Sequence, residues 1–368
     1  MFIYFASLFV GFFLFAYFIK VFRSFFYGLA ENSLALVNIL LWKIDEDEKV
    51  KLVQRKNNQL LLSLAKVFVS VLVALCVGSL PIILYLLLTG QRFDGLDFSS
   101  AYAIIALSAG STLGFVVPVK KKSVTNYSEL SQLLHRMALN NYAIAYKLFK
   151  LEAKKLPKKE VPERARFVIV SGLARAGTTS LMNKLAVSDS FASLSYANMP
   201  FLTAPNFWRK IYKPKKEEQK ERSHKDGIMI GQDSIEALEE YFFKVITNDS
   251  YIVEEALKVH RLSETQYSDY MKYQGVVKNN DQKIYLAKNN NFILRYESVR
   301  EFNKAFVAVF MFRDPLTHAA SLLEKHLECT AMQEEDGFTL EYMDWLGHHE
   351  FGLNQKVFQF TDESQDFP

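Results

Sequence analysis

The chain has 368 residues, half of them hydrophobic, with 44 Lys or Arg against 40 Asp or Glu. A formal net charge of +4 is too small to mark a nucleic-acid partner, and no basic stripe interleaved with aromatics accompanies it. Its two cysteines, Cys76 in an apolar run and Cys329 far away, form neither a disulfide framework nor a CxxC metal spacing, which fits a reducing, cytoplasmic compartment.

In chain order, the first segment to read clearly is FIYFASLFVGFFLFAYFI, residues 2–19, uncharged over the length of a bilayer core. It lacks a basic start and a small-residue cleavage site, so it reads as an anchor and not as a signal peptide. A second apolar run covers 60–88, broken only by Lys66, with Pro81 expected to kink it. A third, 101–118, is rich in small residues. Residues 1–119 are therefore expected to form a membrane anchor of three transmembrane helices. Lys20 and Arg23, then Lys49, Lys51, Arg55 and Lys56, then Lys120, Lys121 and Lys122 flank these runs. The positive-inside rule places all of them on the cytoplasmic side, with the N-terminus outside and everything after Lys120 inside. No Asp, Glu, Arg or His sits mid-span, so an anchor is favoured over a transport path.

Residues 120–163 read as a basic juxtamembrane helix and linker. Helix is expected from Asn126 to about Leu156, with Leu130, Leu134, Met137, Tyr142 and Leu148 along one stripe. Between Lys120 and Arg166 there are twelve Lys or Arg against four Glu, an excess of eight. Beside an anionic membrane face each such cation gains about 1 kcal/mol.

From 164 to 368 strands and helices alternate. RFVIVSGL is a strand, Thr178 to Leu185 a helix and SFASLSY (190–196) a strand. KIYLAK (283–288) follows as a strand, YESVREFNKA as a helix, FVAVFMF (306–312) as a strand and PLTHAASLLEKHLE (315–328) as a helix. That order implies an α/β fold with a parallel sheet flanked by helices. The charged stretch 208–226 reads as a surface loop.

The stretch SGLARAGTTSL, Ser171 to Leu181, carries the chemistry. A strand, a tight glycine turn and a helix start converge backbone N–H groups on an anion. Thr178 stands where a triphosphate loop carries its lysine, and the cation is Arg175 inside the loop. Such a loop suits a single phosphate group without a metal. A second element, FRDPLTHAASLLEKH, puts Arg313 at the carboxyl end of a strand and Ser321 eight residues later on a helix. Both fall on the rim where parallel sheets bind ligands.

Together these two motifs resemble those of the sulfotransferase family, P-loop-fold enzymes that use 3′-phosphoadenosine 5′-phosphosulfate as donor. MPFLTAPNFW, HKDGIMIGQDSIEALEEYFF and YMDWLGHHEFG are similar to bacterial members, and the resemblance covers about Ala165 to Phe351. It implies that Arg175, Ala176, Gly177, Thr178, Thr179 and Ser180 grip the 5′-phosphosulfate, with Ala176 where the family carries Ser. Arg313 and Ser321 would grip the 3′-phosphate. It also implies sulfuryl transfer to a hydroxyl acceptor, with Arg175 stabilising the leaving oxygen electrostatically. The anchor points to a glycolipid, saccharide or other hydroxyl acceptor at the lipid bilayer.

For the base, His224 comes first, with Asp226 beside it, then Glu239 and Glu240, and then His348, His349 and Glu350. Lys288 matches a recurring basic strand-end position. The region SYANMP lacks the Glu that relatives with R-S-G-T-T use as base, and the family's late glycine-rich segment has no counterpart before Pro368. Two further readings stay open: a P-loop ATP-dependent kinase, and an inactive membrane scaffold that keeps the nucleotide fold.

Overall fold

The computed structural model describes residues 1–42, 44–119, 127–157, 166–213, 220–221, 229–230, 235, 237–279 and 282–360. They fall into two compact units, Met1–Ser123 and Val124–Pro368.

Among the described residues the first unit contains four α-helices, α1 (Phe2–Val21), α2 (Arg23–Leu41), α3 (Glu46–Thr89) and α4 (Ala101–Val116). The first three are long and apolar enough to cross a membrane, and α4 is a shorter apolar helix of 16 residues. This differs from the sequence reading, in which α2 was no span and 101–118 was one. Arg23, Glu31, Asn32 and Asn38 dilute the apolar signal of α2. Pro81 lies inside α3, which continues through it. The start of α3 is set by Asp45, whose side chain accepts the Asp47 N–H, and by three acidic residues in the first turn. Gly90, in the left-handed conformation, ends it.

Close backbone approach organises this unit. A Cβ on Gly11 would lie 2.5 Å from the Gly78 carbonyl oxygen, and one on Gly110 would lie 2.3 Å from that of Phe9. The contacts also fix direction. The Tyr4 ring packs tilted against that of Tyr85, Gly11 meets Gly78 and Asn32 donates to Ser63, so α1 and α2 run antiparallel to α3. Phe5 meets Tyr102, Phe9 meets Gly110 and Phe13 meets Gly114, so α1 and α4 run parallel.

The second unit begins with α5 (Glu129–Leu139) and α6 (Tyr142–Ala153). The single helix expected from Asn126 to Leu156 is thus two, broken at Asn140 and Asn141. Asn141 turns its side-chain amide back to the Met137 carbonyl, a local bond that competes with helix continuation. The break resets the helical phase, so the buried residues include Leu133, His135, Leu139, Ala145 and Phe149, whereas Leu130 is exposed.

The remaining elements are β1 (Phe167–Gly172), α7 (Thr178–Ala186), β2 (Phe191–Ala192), α8 (Pro205–Ile211), β3 (Lys220–Glu221), β4 (Met229–Ile230), α9 (Glu240–Thr247) and β5 (Ala256–Lys258). They continue with α10 (Glu264–Lys278), β6 (Ile284–Lys288), α11 (Tyr296–Phe302), β7 (Val307–Met311), α12 (Pro315–Glu335), α13 (Gly337–Trp345) and β8 (Val357–Gln359). Four strands form a parallel sheet in the order β2-β6-β1-β7. Two short pairs lie apart from it, β3 with β4 and β5 with β8.

Alternation along β1 and β6 buries both faces of the sheet's centre. Phe167, Ile169, Tyr285 and Ala287 join the main core with Phe149, Phe242 and Tyr270. Val170 and Leu286 turn the other way, onto Met182 of α7. The apolar strand β7 forms one edge of the sheet, and Val307 on it is 54% exposed.

Candidate functional site

The loop between β1 and α7 is built by backbone conformations that few residues accept. Gly172 has φ 137° beside β7, where a Cβ would meet the Met311 carbonyl oxygen at 2.3 Å. Gly177, at φ 94°, is the N-cap of α7. Between them Arg175 itself takes φ 68°, a left-handed conformation that costs a non-glycine residue about 1–2 kcal/mol. Strain of this kind gathers at functional sites, where the surrounding structure holds it. Here the Ala176 N–H closes the turn onto the Leu173 carbonyl at 3.2 Å.

Three neighbouring strands bring their carboxyl ends to this loop. Arg175 Nε donates to Ser321 Oγ at 3.2 Å, joining the loop after β1 to the helix after β7. Lys288, the last residue of β6, donates from Nζ to Thr179 Oγ1 at 2.8 Å. His318, one turn before Ser321, sits with Nε2 at 2.7 Å from the Ala174 carbonyl, which makes it the donor. Ala174, Cys329 and Phe351 then form a small apolar cluster with Leu322 under the loop. Thr178 is buried at the first turn of α7 and Ser180 is exposed there, and Ala176 is buried. Arg313 stands at the end of β7, exposed, with its charge beside Asp314. Asp314 caps α12 by accepting the Thr317 N–H at 2.9 Å. The site thus presents N–H groups at a helix start, the hydroxyls of Thr179 and Ser321, and the three cations Arg175, Lys288 and Arg313 to one rim. That is chemistry for anionic oxygens.

The loop after β6 holds the rim's other side. Asn289 donates to Glu239 Oε2 and Glu240 Oε2, both at 2.9 Å. Asn290 donates to Glu350 Oε1 at 2.8 Å, and Asn291 to the Gly347 carbonyl at 2.9 Å. Three successive asparagines therefore fasten the start of α9 and the turn 347–350 to the strand end.

Glu239 is 2% exposed, and both its oxygens are engaged by Tyr270, Tyr285 and Asn289. Burial pushes its carboxyl above the ordinary range, and the hydrogen bonds only partly oppose this. It anchors the strand end and turns no lone pair toward solvent. Glu240 is equally buried, but the bidentate Arg295 guanidinium, at 2.5 and 2.6 Å, outweighs burial and holds its carboxyl below the ordinary range.

His349 is 1% exposed and faces inward, with Nδ1 at 3.0 Å from the Asn354 carbonyl. His348 is only partly buried, with Nδ1 at 3.3 Å from Glu350 Oε2. Burial raises the Glu350 carboxyl, but His348 and Asn290 overcome it and hold the group at about 2. His224 and Asp226 lie outside the described residues.

The contacts of His318 and of the three asparagines were not read from the sequence. His318 does carry a signal, because positions 318, 321, 322, 325 and 329 recur on one face of α12. Compared with known proteins, the chain matches no family model, no curated protein and no solved structure.

Proposed function

We propose that this protein is a membrane-anchored sulfotransferase that moves a sulfuryl group from 3′-phosphoadenosine 5′-phosphosulfate to a hydroxyl of a membrane-associated or carbohydrate acceptor. The observation that carries this reading is the bond between Arg175 and Ser321. It joins, across adjacent parallel strands, the two motifs that would hold the donor's two phosphate ends. With no lysine after Gly177, the loop favours a phosphosulfate over a triphosphate.

In the reaction the acceptor oxygen attacks sulfur, and the bond from sulfur to the bridging oxygen breaks. The electron pair leaves on the 5′-phosphate of adenosine 3′,5′-bisphosphate. Charge grows on that oxygen in the transition state, so a cation held against it lowers the barrier more than it tightens ground-state binding. Arg175 takes that role as an electrostatic group, since a guanidinium does not give up its proton at neutral pH. Lys288 and Thr179 steady the same end of the donor, and Arg313 with Ser321 holds the 3′-phosphate.

The helix directions in the first unit support three membrane crossings, by α1, the C-terminal half of α3, and α4. Lys20 at the end of α1 donates to the carbonyls of Phe115 and Val117 at 2.5 and 2.9 Å, so both helices end on one level. The cations there, with those of the first turns of α3, favour a cytoplasmic catalytic domain. Membranes holding the protein, given sulfur-labelled donor, should label an acceptor. Arg175→Ala and Arg313→Ala should each reduce labelling at least about 100-fold, the scale of losing one charge-stabilising donor. Unchanged labelling in both variants refutes the reading.

A further inference from the structure

We infer that His348 is the general base of this site and that Glu350 is its positioning residue, an inference that rests on the sulfotransferase reading. Two anchors bracket the pair: Asn291 holds the Gly347 carbonyl and Asn290 holds the Glu350 carboxylate, at 2.9 and 2.8 Å. Phe351, next in the chain, packs on Ala174, which adjoins Arg175. Asn290 follows Lys288 by two residues, and its carbonyl accepts from Ser171 of β1 at 3.5 Å. The turn carrying His348 is therefore fixed to the same strand ends as the donor loop, from three directions.

The pair has the division of labour that base catalysis needs. Glu350 side-chain exposure is 13% and that of His348 is 25%, so the carboxylate is inside and the ring reaches solvent. With Nδ1–H given to the carboxylate, the imidazole keeps its lone pair on Nε2. Attack of the acceptor oxygen on sulfur then transfers the hydroxyl proton to Nε2, and the bond from sulfur to the phosphate oxygen breaks. The proton leaves to water after the product departs. Glu350 faces the imidazolium formed in between and stabilises it, as the carboxylate does in other carboxylate–histidine pairs. The other candidates among the described residues do not fit. Glu239 and His349 are sealed at 2% and 1% exposure, and Glu240 is neutralised by Arg295.

The test uses the full chain in membranes, with labelled donor and, separately, calorimetry with adenosine 3′,5′-bisphosphate. His348→Ala and His348→Gln should lower the labelling rate about 10²–10⁴-fold, the range of a lost general base. The affinity for adenosine 3′,5′-bisphosphate should stay within about twofold, because binding does not use the base. Glu350→Gln should reduce the rate less than His348→Ala does, and added imidazole should restore part of the labelling to His348→Ala but none to Arg175→Ala. Full labelling by both His348 variants, with nucleotide binding intact, overturns this assignment and leaves the sulfotransferase reading standing. Wild-type protein that neither binds the bisphosphate nor labels any acceptor overturns both.

Discussion

Glu239 and Glu240 are neighbours in sequence, both sealed from water, yet their carboxyls shift in opposite directions. The difference is one partner. Burial raises Glu239, and its direct partners are all neutral donors; their hydrogen bonds and the charge of Arg295, which does not bond it, do not offset that cost. Glu240 meets the buried Arg295, whose guanidinium also lies 4.0 Å over the Phe243 ring. Removing one side of such a pair costs about 3–5 kcal/mol, so it fixes the α9 start whatever its net contribution to stability. Glu350 follows the logic of Glu240, held at about 2 against an ordinary 4.5. Its folded value lies below its unfolded one, so its contribution is fully present above pH 4.5 and is lost as pH falls through 2. At about 1.4 kcal/mol per pH unit, that contribution is about 3 kcal/mol. Denaturant midpoints of the purified protein between pH 5 and pH 2 should therefore fall more steeply for wild type than for Glu350→Gln. Parallel curves would remove the His348–Glu350 pair as a source of acid sensitivity.

At the scale of elements, the legible parts were those whose signal is local. The β1 strand, its glycine turn and α7 follow from an apolar run, two glycines and two threonines. The β7 strand and α12 follow from an apolar run, a proline at the helix start and a capping aspartate. The break between α5 and α6 was missed, because Asn140 and Asn141 are tolerated in a helix and nothing nearby compels a stop. The engagement of Glu239 was also missed: its partners Tyr270, Tyr285 and Asn289 are distant in the chain, and an acidic pair at a helix start reads as solvated. Likewise the asparagine run 289–291 looks like an ordinary loop until its three partners are in place. Glycines in the first unit were legible only as small residues, and packing gives them their role. Gly110→Leu should force α4 off the Phe9 carbonyl and destabilise the unit by about 1–3 kcal/mol, the cost of overpacking. The control is Gly28→Leu, since a Cβ on Gly28 meets nothing within 4 Å. A lowered Tm in detergent for the first variant and an unchanged or raised one for the second is expected. Equal Tm values would mean that the close approach of α1 and α4 carries no stability.

Over the whole molecule, counting apolar helices and counting crossings give different answers. A helix of 44 residues at 1.5 Å per residue is about 66 Å long, twice a bilayer core of about 30 Å. Only its C-terminal half is free of charge, from Val67 to Thr89. Alongside it, α1 and α2 are separated by the single residue Phe22, too few for a reversal, which takes about two to five. Their contacts with α3 run in one continuous antiparallel order, from Tyr4 with Tyr85 to Asn32 with Ser63. In the proposed arrangement α2 therefore continues α1 past the bilayer beside the charged half of α3, and the two together cross once. The proposed three crossings place Phe2 and Asp94 on one side and Lys51 on the other. A fourth crossing by α2 places Phe2 with Lys51 and leaves Asp94 opposite. Single cysteines at these three positions, in a Cys76→Ser, Cys329→Ser background, separate the two with a membrane-impermeant thiol reagent. In intact cells Phe2→Cys and Asp94→Cys should react, and Lys51→Cys should react only after permeabilisation. Phe2→Cys and Lys51→Cys behaving alike would restore α2 as a separate span and put the residues after α4 on the same side as Phe2.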